Sequence, residues 1–352
     1  MILFKKYNSF YVILILSLLL FCSIANAEIE QVQQKSLPNS IAKSSQKDLV
    51  TLIIENDSIG GGTDNNYTSG VALHFIHSDA KFPRIAHKID KLIPSFEINS
   101  TSNIYYTFGQ NIYTPRDTQN TQVDLNDRPW AGYLYGSLGM MTLTGNHSDE
   151  VEATIGVIGP ASLAEHTQKF VHKYITDSDE PMGWDNQLKN EPVFSLAWQR
   201  SWPRYISGEL ADGFWSIKPH TGLTVGTLRS YAAAGASISL RPSDDKWQDN
   251  PIRVRPTMPG TGLFETDNDN LNWNLFAGIE GRAVANDVFL DGNNFTTSYS
   301  VDKKPFVADA SAGISFTLFE TRMSYTLVYR TKEFETQDSP EVFGTFSVGM
   351  KF

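Results

Sequence analysis

An imidazole, carboxylates, amides and a hydroxyl lie at the ends of segments that are far apart in this chain. Glu55-Asn56-Asp57 closes the first extended segment and Thr68 stands near the start of the second. Gln110 and Asn111 end the third, Asp127, Arg128 and Trp130 open the fourth, and His172 lies on a helical stretch after the fifth. Groups of these types can move a proton, ligate a hard cation or hydrogen-bond a developing oxyanion. Each also has an ordinary explanation. Asn56-Asp57 before Gly60-Gly61-Gly62 opens a turn, and His172 reads as a solvated helical histidine. Asp177-Ser178-Asp179-Glu180 is a polar helix exit, and Arg116 and Arg128 are rim charges. Chemistry requires that the fold gather them at one place.

The elements that would do so are strands. About twelve segments alternate in polarity, near 49–57, 66–78, 103–113, 130–144, 149–159, 191–203, 214–226, 231–241, 271–284, 305–317, 320–332 and 342–352. Most match the roughly 9–11 residues that a tilted membrane strand needs. In the last, Phe346, Val348, Met350 and Phe352 share one face, while Thr345, Ser347, Gly349 and Lys351 share the other. In the second, Thr68, Gly70, Ala72, His74 and Ile76 are expected to face inward. A chain whose final strand ends on Phe suggests closure of the last strand against the first. The expected fold is all-β: a transmembrane antiparallel β-barrel of about twelve strands, with a short helix in an extracellular loop. Ten aromatic residues, among them Tyr105, Tyr113, Trp130, Tyr231, Tyr325 and Tyr329, are expected at the interfacial rims.

An even strand number puts both termini in the periplasm. Connections 58–65, 114–129, 160–190, 227–230, 285–304 and 318–319 are then expected outside the cell. The long 242–270 segment fits that parity poorly, because periplasmic turns are usually short. Either it packs under the barrel or the count is off by one pair. The helix is expected over Ser162–Ile175, with Ser162 capping its start and Leu163, Phe170 and Tyr174 on one side.

Composition narrows the address. Lys5 and Lys6 precede an apolar run ending at Ala25-Asn26-Ala27, the pattern of a cleaved secretory signal over 1–27. Residues 28–48 read as a flexible periplasmic lead-in, and 49–352 as the barrel with its extracellular-loop site. Cys22 is the only cysteine and leaves with the signal, so the rest has no thiol for catalysis, zinc or a disulfide. The formal charge of −10 becomes −12 once Lys5 and Lys6 are removed, which argues against nucleic acid as a partner. Mean hydropathy is −0.27, and no later apolar stretch is long enough for a spanning helix.

Several motifs occur together and in order: Glu55-Asn56-Asp57, Asn66-Tyr67-Thr68-Ser69-Gly70, Gln110 to Pro115, Asp127 to Gly132, Gly156 to Pro160 and Gly183 to Leu188. A His stands twelve residues after the Gly-Pro, at His172. This pattern resembles the outer-membrane lipid A 3′-O-deacylases, the LpxR family, from about residue 50 to the terminus. The resemblance implies a twelve-stranded barrel with its site between the wall and a loop helix. It also implies calcium-dependent hydrolysis of the 3′ acyloxyacyl ester of lipid A in lipopolysaccharide by water attack.

By position, Asn56, Asp57, Thr68 and His172 match the family's essential residues, with Asp57 a calcium ligand. The family's acidic position falls opposite Ser178, which leaves Asp177, Asp179 and Glu180 as rival ligands. The family's loop lysine falls opposite Asn120, with Arg116 the nearest substitute. Arg116, Arg128, Lys169 and Lys173 would meet the lipid's phosphates and sugar acids. His74 is assigned no task beyond structure. The implied partners are lipid A, outer-membrane lipids and the barrel-assembly machinery, which would engage the final strand of a monomer. Two other readings are a passive porin-like barrel and an outer-membrane phospholipase A, for which His147-Ser148 is the nearest Ser–His pair.

Overall fold

The computed structural model describes residues 47–60, 66–78, 82, 86–89, 96–210, 213–243, 248–254, 261–266 and 271–352. The expected signal peptide and nearly all of the lead-in lie outside the described residues. Among the described residues thirteen strands form one sheet: β1 (Leu49–Asn56), β2 (Asn66–His77), β3 (Asn103–Thr114), β4 (Ala131–Thr144), β5 (His147–Ile158), β6 (Glu191–Ser201) and β7 (Ile206–Leu210), followed by β8 (Gly213–Gly226), β9 (Arg229–Arg241), β10 (Asn272–Asp287), β11 (Phe306–Leu318), β12 (Thr321–Arg330) and β13 (Glu341–Lys351). Neighbours are antiparallel, and β6 pairs with β8 to close a ring of twelve. The extra strand, β7, is a short flap hydrogen-bonded to the first residues of β8. First and last strands meet as expected, from Leu49 opposite Lys351 to Asn56 opposite Gly344.

The two-residue side-chain period sorts the wall into two faces. On β1, Leu49, Thr51, Ile53 and Glu55 are buried inside while Leu52 is exposed outside. On β13, Thr345, Ser347 and Lys351 point in, and Phe346 and Met350 point out. An apolar outer surface around a polar interior suits a barrel surrounded by hydrocarbon, where closure leaves no backbone edge unpaired. No helix among the described residues is long and apolar enough to cross a membrane. The aromatic rim is thinner than expected. Tyr105, Tyr113, Trp130 and Tyr231 are buried, whereas Tyr325 and Tyr329 are exposed.

One end of the barrel carries Leu49 and Lys351; the other, here the distal end, carries Asn56 and Glu341. The 318–319 connection is at the terminal end, where Lys351 N–H donates to Glu320 O at 2.8 Å. That corrects the expectation above: β11 enters from the distal end, so the sixth distal connection is 331–340.

The described parts of the long segment after β9, 248–254 and 261–266, leave the strand count intact and lie in the lumen. Phe264 packs with Leu49, Ile76, Tyr105 and Met141, and Ile252 and Val254 pack with Ile53 and Ala72. Arg322 Nη2 donates to Asp249 O at 2.7 Å. At the distal end Phe289, fully buried on the Val288–Asp291 turn, stacks on Tyr113 at 4.1 Å between centroids. Charges inside the barrel are paired, as burial requires. Arg282 and Arg330 both bind Asp309, at 2.5 and 2.9 Å, and Arg229 binds Asp287 at 2.8 Å.

Candidate functional site

The helix α1 (Ala164–Val171) continues through wider turns over His172–Thr176 and ends at Asp177, whose φ is 50°. Ser162 does not cap it. Leu163, in a left-handed conformation, precedes the helix, and Ser162 Oγ donates to Gly159 O at 2.6 Å. The helix packs on β3 and β4. It does so from outside, because Ile112, on the outward face of β3, shares a cluster with Ala164, Trp130 and Trp184. Gln110, on the same outward face, donates from Nε2 to Ser162 O at 2.7 Å. The approach is very close. A Cβ added at Gly132 would lie 2.1 Å from Ser162 Oγ and 2.3 Å from Ala164 Cβ, so only glycine lets the helix reach the wall.

This helix turns its polar side inward. Ala164, Gln168 and His172, spaced four apart, are buried on the side by which Ala164 packs on the wall. Leu163, Phe170, Tyr174 and Ile175 are 55–67% exposed. His172 is therefore no solvated surface histidine. Its Nδ1 lies 2.6 Å from the Asp179 carbonyl oxygen. A carbonyl only accepts, so Nδ1 carries the proton and the neutral ring's lone pair sits on Nε2.

On the same distal rim, β1 and β2 supply the other candidates. A bulge at Tyr67/Ser69 interrupts the β2–β3 register. Tyr67 stays inside against Tyr113, whereas Thr68 Oγ1 lies 2.6 Å from Thr114 Oγ1. Thr114 shares the outward face of Gln110 and Ile112. The bulge thus turns Thr68 outward, against the inward position that simple alternation gives it. Asn56 Nδ2 donates to Thr68 O at 2.9 Å, and Asn56 Oδ1 accepts from Ser58 N at 2.8 Å and from Ser58 Oγ. Asp57 follows, only 3% exposed, at the start of the turn Asp57–Gly60 that packs on β13. Asn56 and Thr68 are joined directly; His172 follows α1, the helix seated on β3 and β4.

The acidic candidates after the helix are not buried as Asp57 is. Asp179 and Glu180 are exposed, and Glu180 pairs with Lys169 at 3.0 Å. Hydrogen bonds that Lys169 Nζ donates to the carboxylates of Glu180 and Glu165 hold its ammonium pKa above the ordinary range. Among the described residues, no three His, Cys, Asp or Glu side chains form a cluster able to hold a metal. A calcium ion here would take one buried carboxylate, Asp57, and otherwise neutral oxygens. That donor set still suits a hard cation.

The basic candidates divide. Lys173 is exposed beside the Tyr174 ring at 5.1 Å, whereas Arg116 pairs with Asp338. Arg128 is buried inside the barrel, 3.5 Å from Glu333 and 4.8 Å from the Tyr113 ring centre, so it cannot meet an external phosphate. His74 is structural, its Nδ1 2.9 Å from Thr107 Oγ1 within the lumen. His147-Ser148 lies at the terminal end, with His147 on Asp149 at 3.2 Å and Ser148 Oγ 2.7 Å from Ser201 Oγ, not on each other. Sequence reading missed Thr114 and Gln168. The spacing Ala164, Gln168, His172 was the signal for the latter.

A barrel of this kind, with a helix seated on its outer wall, is similar to known structures. LpxR from Salmonella typhimurium superimposes with a TM-score of 0.69 at 19% identity, over 86% of this chain and 100% of that one. The β-domain of the Bordetella autotransporter BrkA matches at 0.40, with 10% identity over 87% and 98% of the two chains. The translocator domain of NalP from Neisseria meningitidis also scores 0.40, with 9% identity over 96% and 97%. No curated protein matched the sequence. The family described as Outer membrane protein LpxR matches residues 13–352, nearly the whole length, so the chain belongs to the LpxR family and is a multi-pass protein of the outer membrane.

Proposed function

We propose that this protein is a lipid A 3′-O-deacylase, which hydrolyses the 3′ acyloxyacyl ester of lipid A from the outer face of the barrel wall. One observation carries the reading. The only buried imidazole outside the lumen among the described residues, His172, faces the wall from α1 with its lone pair on Nε2. A lipid reaches such a place sideways, from the leaflet around the barrel. The filled lumen argues against a passive pore, and the separate fates of His147 and Ser148 argue against a phospholipase-type nucleophile.

The chemistry uses water as nucleophile. His172 Nε2 takes a proton as the water oxygen adds to the ester carbonyl carbon, and the carbonyl π pair moves onto its oxygen. Collapse expels the 3′ alkoxide of the sugar, which takes the proton from His172. The products are a free 3-acyloxyacyl acid and a 3′-hydroxyl on lipid A. The Asp179 carbonyl keeps the imidazole in the tautomer the step needs. Asn56 holds the Thr68 bulge, which keeps the buried, mutually hydrogen-bonded Thr68 and Thr114 hydroxyls on the outward side of the wall. Asp57, with neutral oxygens, would hold calcium, which when bound supplies positive charge to a developing oxyanion. Lys173 meets the negative groups of the lipid head.

Mass spectrometry of lipid A from cells expressing wild type, His172→Ala or Asp57→Ala tests the assignment. Only wild type should lose the 3′ acyloxyacyl group. Identical spectra for all three would remove it.

A further inference from the structure

The amide of Gln168 is held by a contact that fixes which of its atoms can meet a substrate. Gln168 is 2% exposed on the wall-facing side of α1, one turn before His172. Trp184 Nε1 donates to Gln168 Oε1 at 2.8 Å. An indole N–H can only donate, so the oxygen must lie toward Trp184 and the NH2 group must point away from it. That Nε2 is buried and finds no acceptor among the described residues. A buried donor left without a partner is costly, and one beside a candidate base calls for an explanation such as a bound group that supplies the acceptor.

The clamp is itself rigid. Trp184 is 2% exposed and packs on Trp130 with ring centroids 5.1 Å apart. A Cβ at Gly183 would lie 2.5 Å from Trp130 Nε1, so glycine alone permits this approach. The Gly183-Trp184 and Pro129-Trp130 motifs have no task in the hydrolysis described above. Their contacts lead instead to one amide beside the base.

We infer that Gln168 Nε2 is a hydrogen-bond donor to the carbonyl oxygen of the carboxylic ester attacked at His172, with Trp184 as its positioning residue. The inference rests on the ester hydrolysis proposed above. As water adds to the carbonyl carbon and its proton passes to His172, the displaced π pair comes to rest on an oxygen that Gln168 faces. Collapse returns the pair to the carbonyl, and Gln168 makes and breaks no covalent bond. The donor is aligned before reaction begins, so it acts most strongly on the charged state.

The test uses the purified full barrel in detergent, with lipid A bearing a 3′ acyloxyacyl chain as substrate and fatty-acid release as the signal. Gln168→Glu keeps an oxygen for Trp184 and removes the donor. It should lower kcat by about 100-fold, as loss of one oxyanion donor does, with KM within about twofold. Gln168→Met, without charge, should lose kcat similarly. Trp184→Phe keeps the amide but frees it to rotate, and should lose kcat by about tenfold, a fall a purely structural Gln168 would not produce. If both Gln168 variants turn over within about threefold of wild type while His172→Ala is inert, the donor role is wrong and the hydrolase reading stands. If wild type itself releases no fatty acid, both fall.

Discussion

Glu55 and Val254, 199 residues apart in the chain, are joined by a hydrogen bond from the Val254 backbone N–H to Glu55 Oε1 at 3.2 Å. The same oxygen accepts from Thr345 Oγ1 at 2.9 Å and from Arg253 Nε at 3.3 Å. The lumenal segment therefore braces β1 from inside, one residue before Asn56 and Asp57. Glu55→Ala removes the common acceptor and leaves Arg253 to its longer pairing with Asp309, at 3.5 Å. Losing one member of a buried ion pair costs about 3–5 kcal/mol. The heat-induced gel-mobility shift of the folded barrel should move to lower temperature, with deacylation falling alongside. Thr345→Val removes one neutral donor and should cost only about 1 kcal/mol.

Gly132 tests how closely α1 must seat. Gly132→Val places methyl groups where Ser162 and Ala164 already stand, and overpacking of this kind costs about 1–3 kcal/mol. The strain falls on the loop, not on the twelve-stranded ring. The expected outcome is a barrel with normal gel mobility and lipid A unchanged by mass spectrometry.

The lumen makes its own prediction. Wild type in a planar bilayer should give no steady conductance. Replacing 248–266 by a short Gly-Ser linker removes Phe264, Ile252 and Val254 from the interior, and ion-conducting events should appear. Steady pores from wild type would favour the passive-barrel reading.

Metal dependence can be separated from the acidic cluster. A chelator should abolish fatty-acid release, and added calcium should restore it. Asp57→Asn should be inactive at all calcium concentrations tried, whereas Asp179→Asn and Glu180→Gln, being exposed, should act within about threefold of wild type. Unimpaired Asp57→Asn would dismiss the calcium proposal.

The wall was readable from the sequence because its rule is local. Alternation alone placed β1, β2, β3 and β13 within a residue or two, and set His74 inside and Phe346 outside. What alternation could not supply were its interruptions. A single-residue bulge at Thr68 reverses the side that side chain faces, and no pattern marks it. The lumenal segment has no period at all; it is recognised by partners such as Glu55 and Arg322 that are distant in sequence. Aromatic residues at strand ends misled for a related reason. Tyr113 and Trp130 have the right type and place for a rim, but their pleat position sends them into packing. The helix was legible in existence but not in orientation: Leu163, Phe170 and Tyr174 share one side, and the barrel reverses a globular protein's habit by leaving that side exposed.

That last reversal has a consequence for when the imidazole can work. A helix that keeps Gln168 and His172 against the wall and offers Phe170, Tyr174 and Ile175 to its surroundings is stable only where those surroundings are greasy. In water the same stripe would favour rolling over, carrying the base away from the rim. If the proposed deacylase reading holds, the leaflet that delivers the ester would thus also hold His172 in place, leaving a chain still in transit to the membrane without an assembled centre.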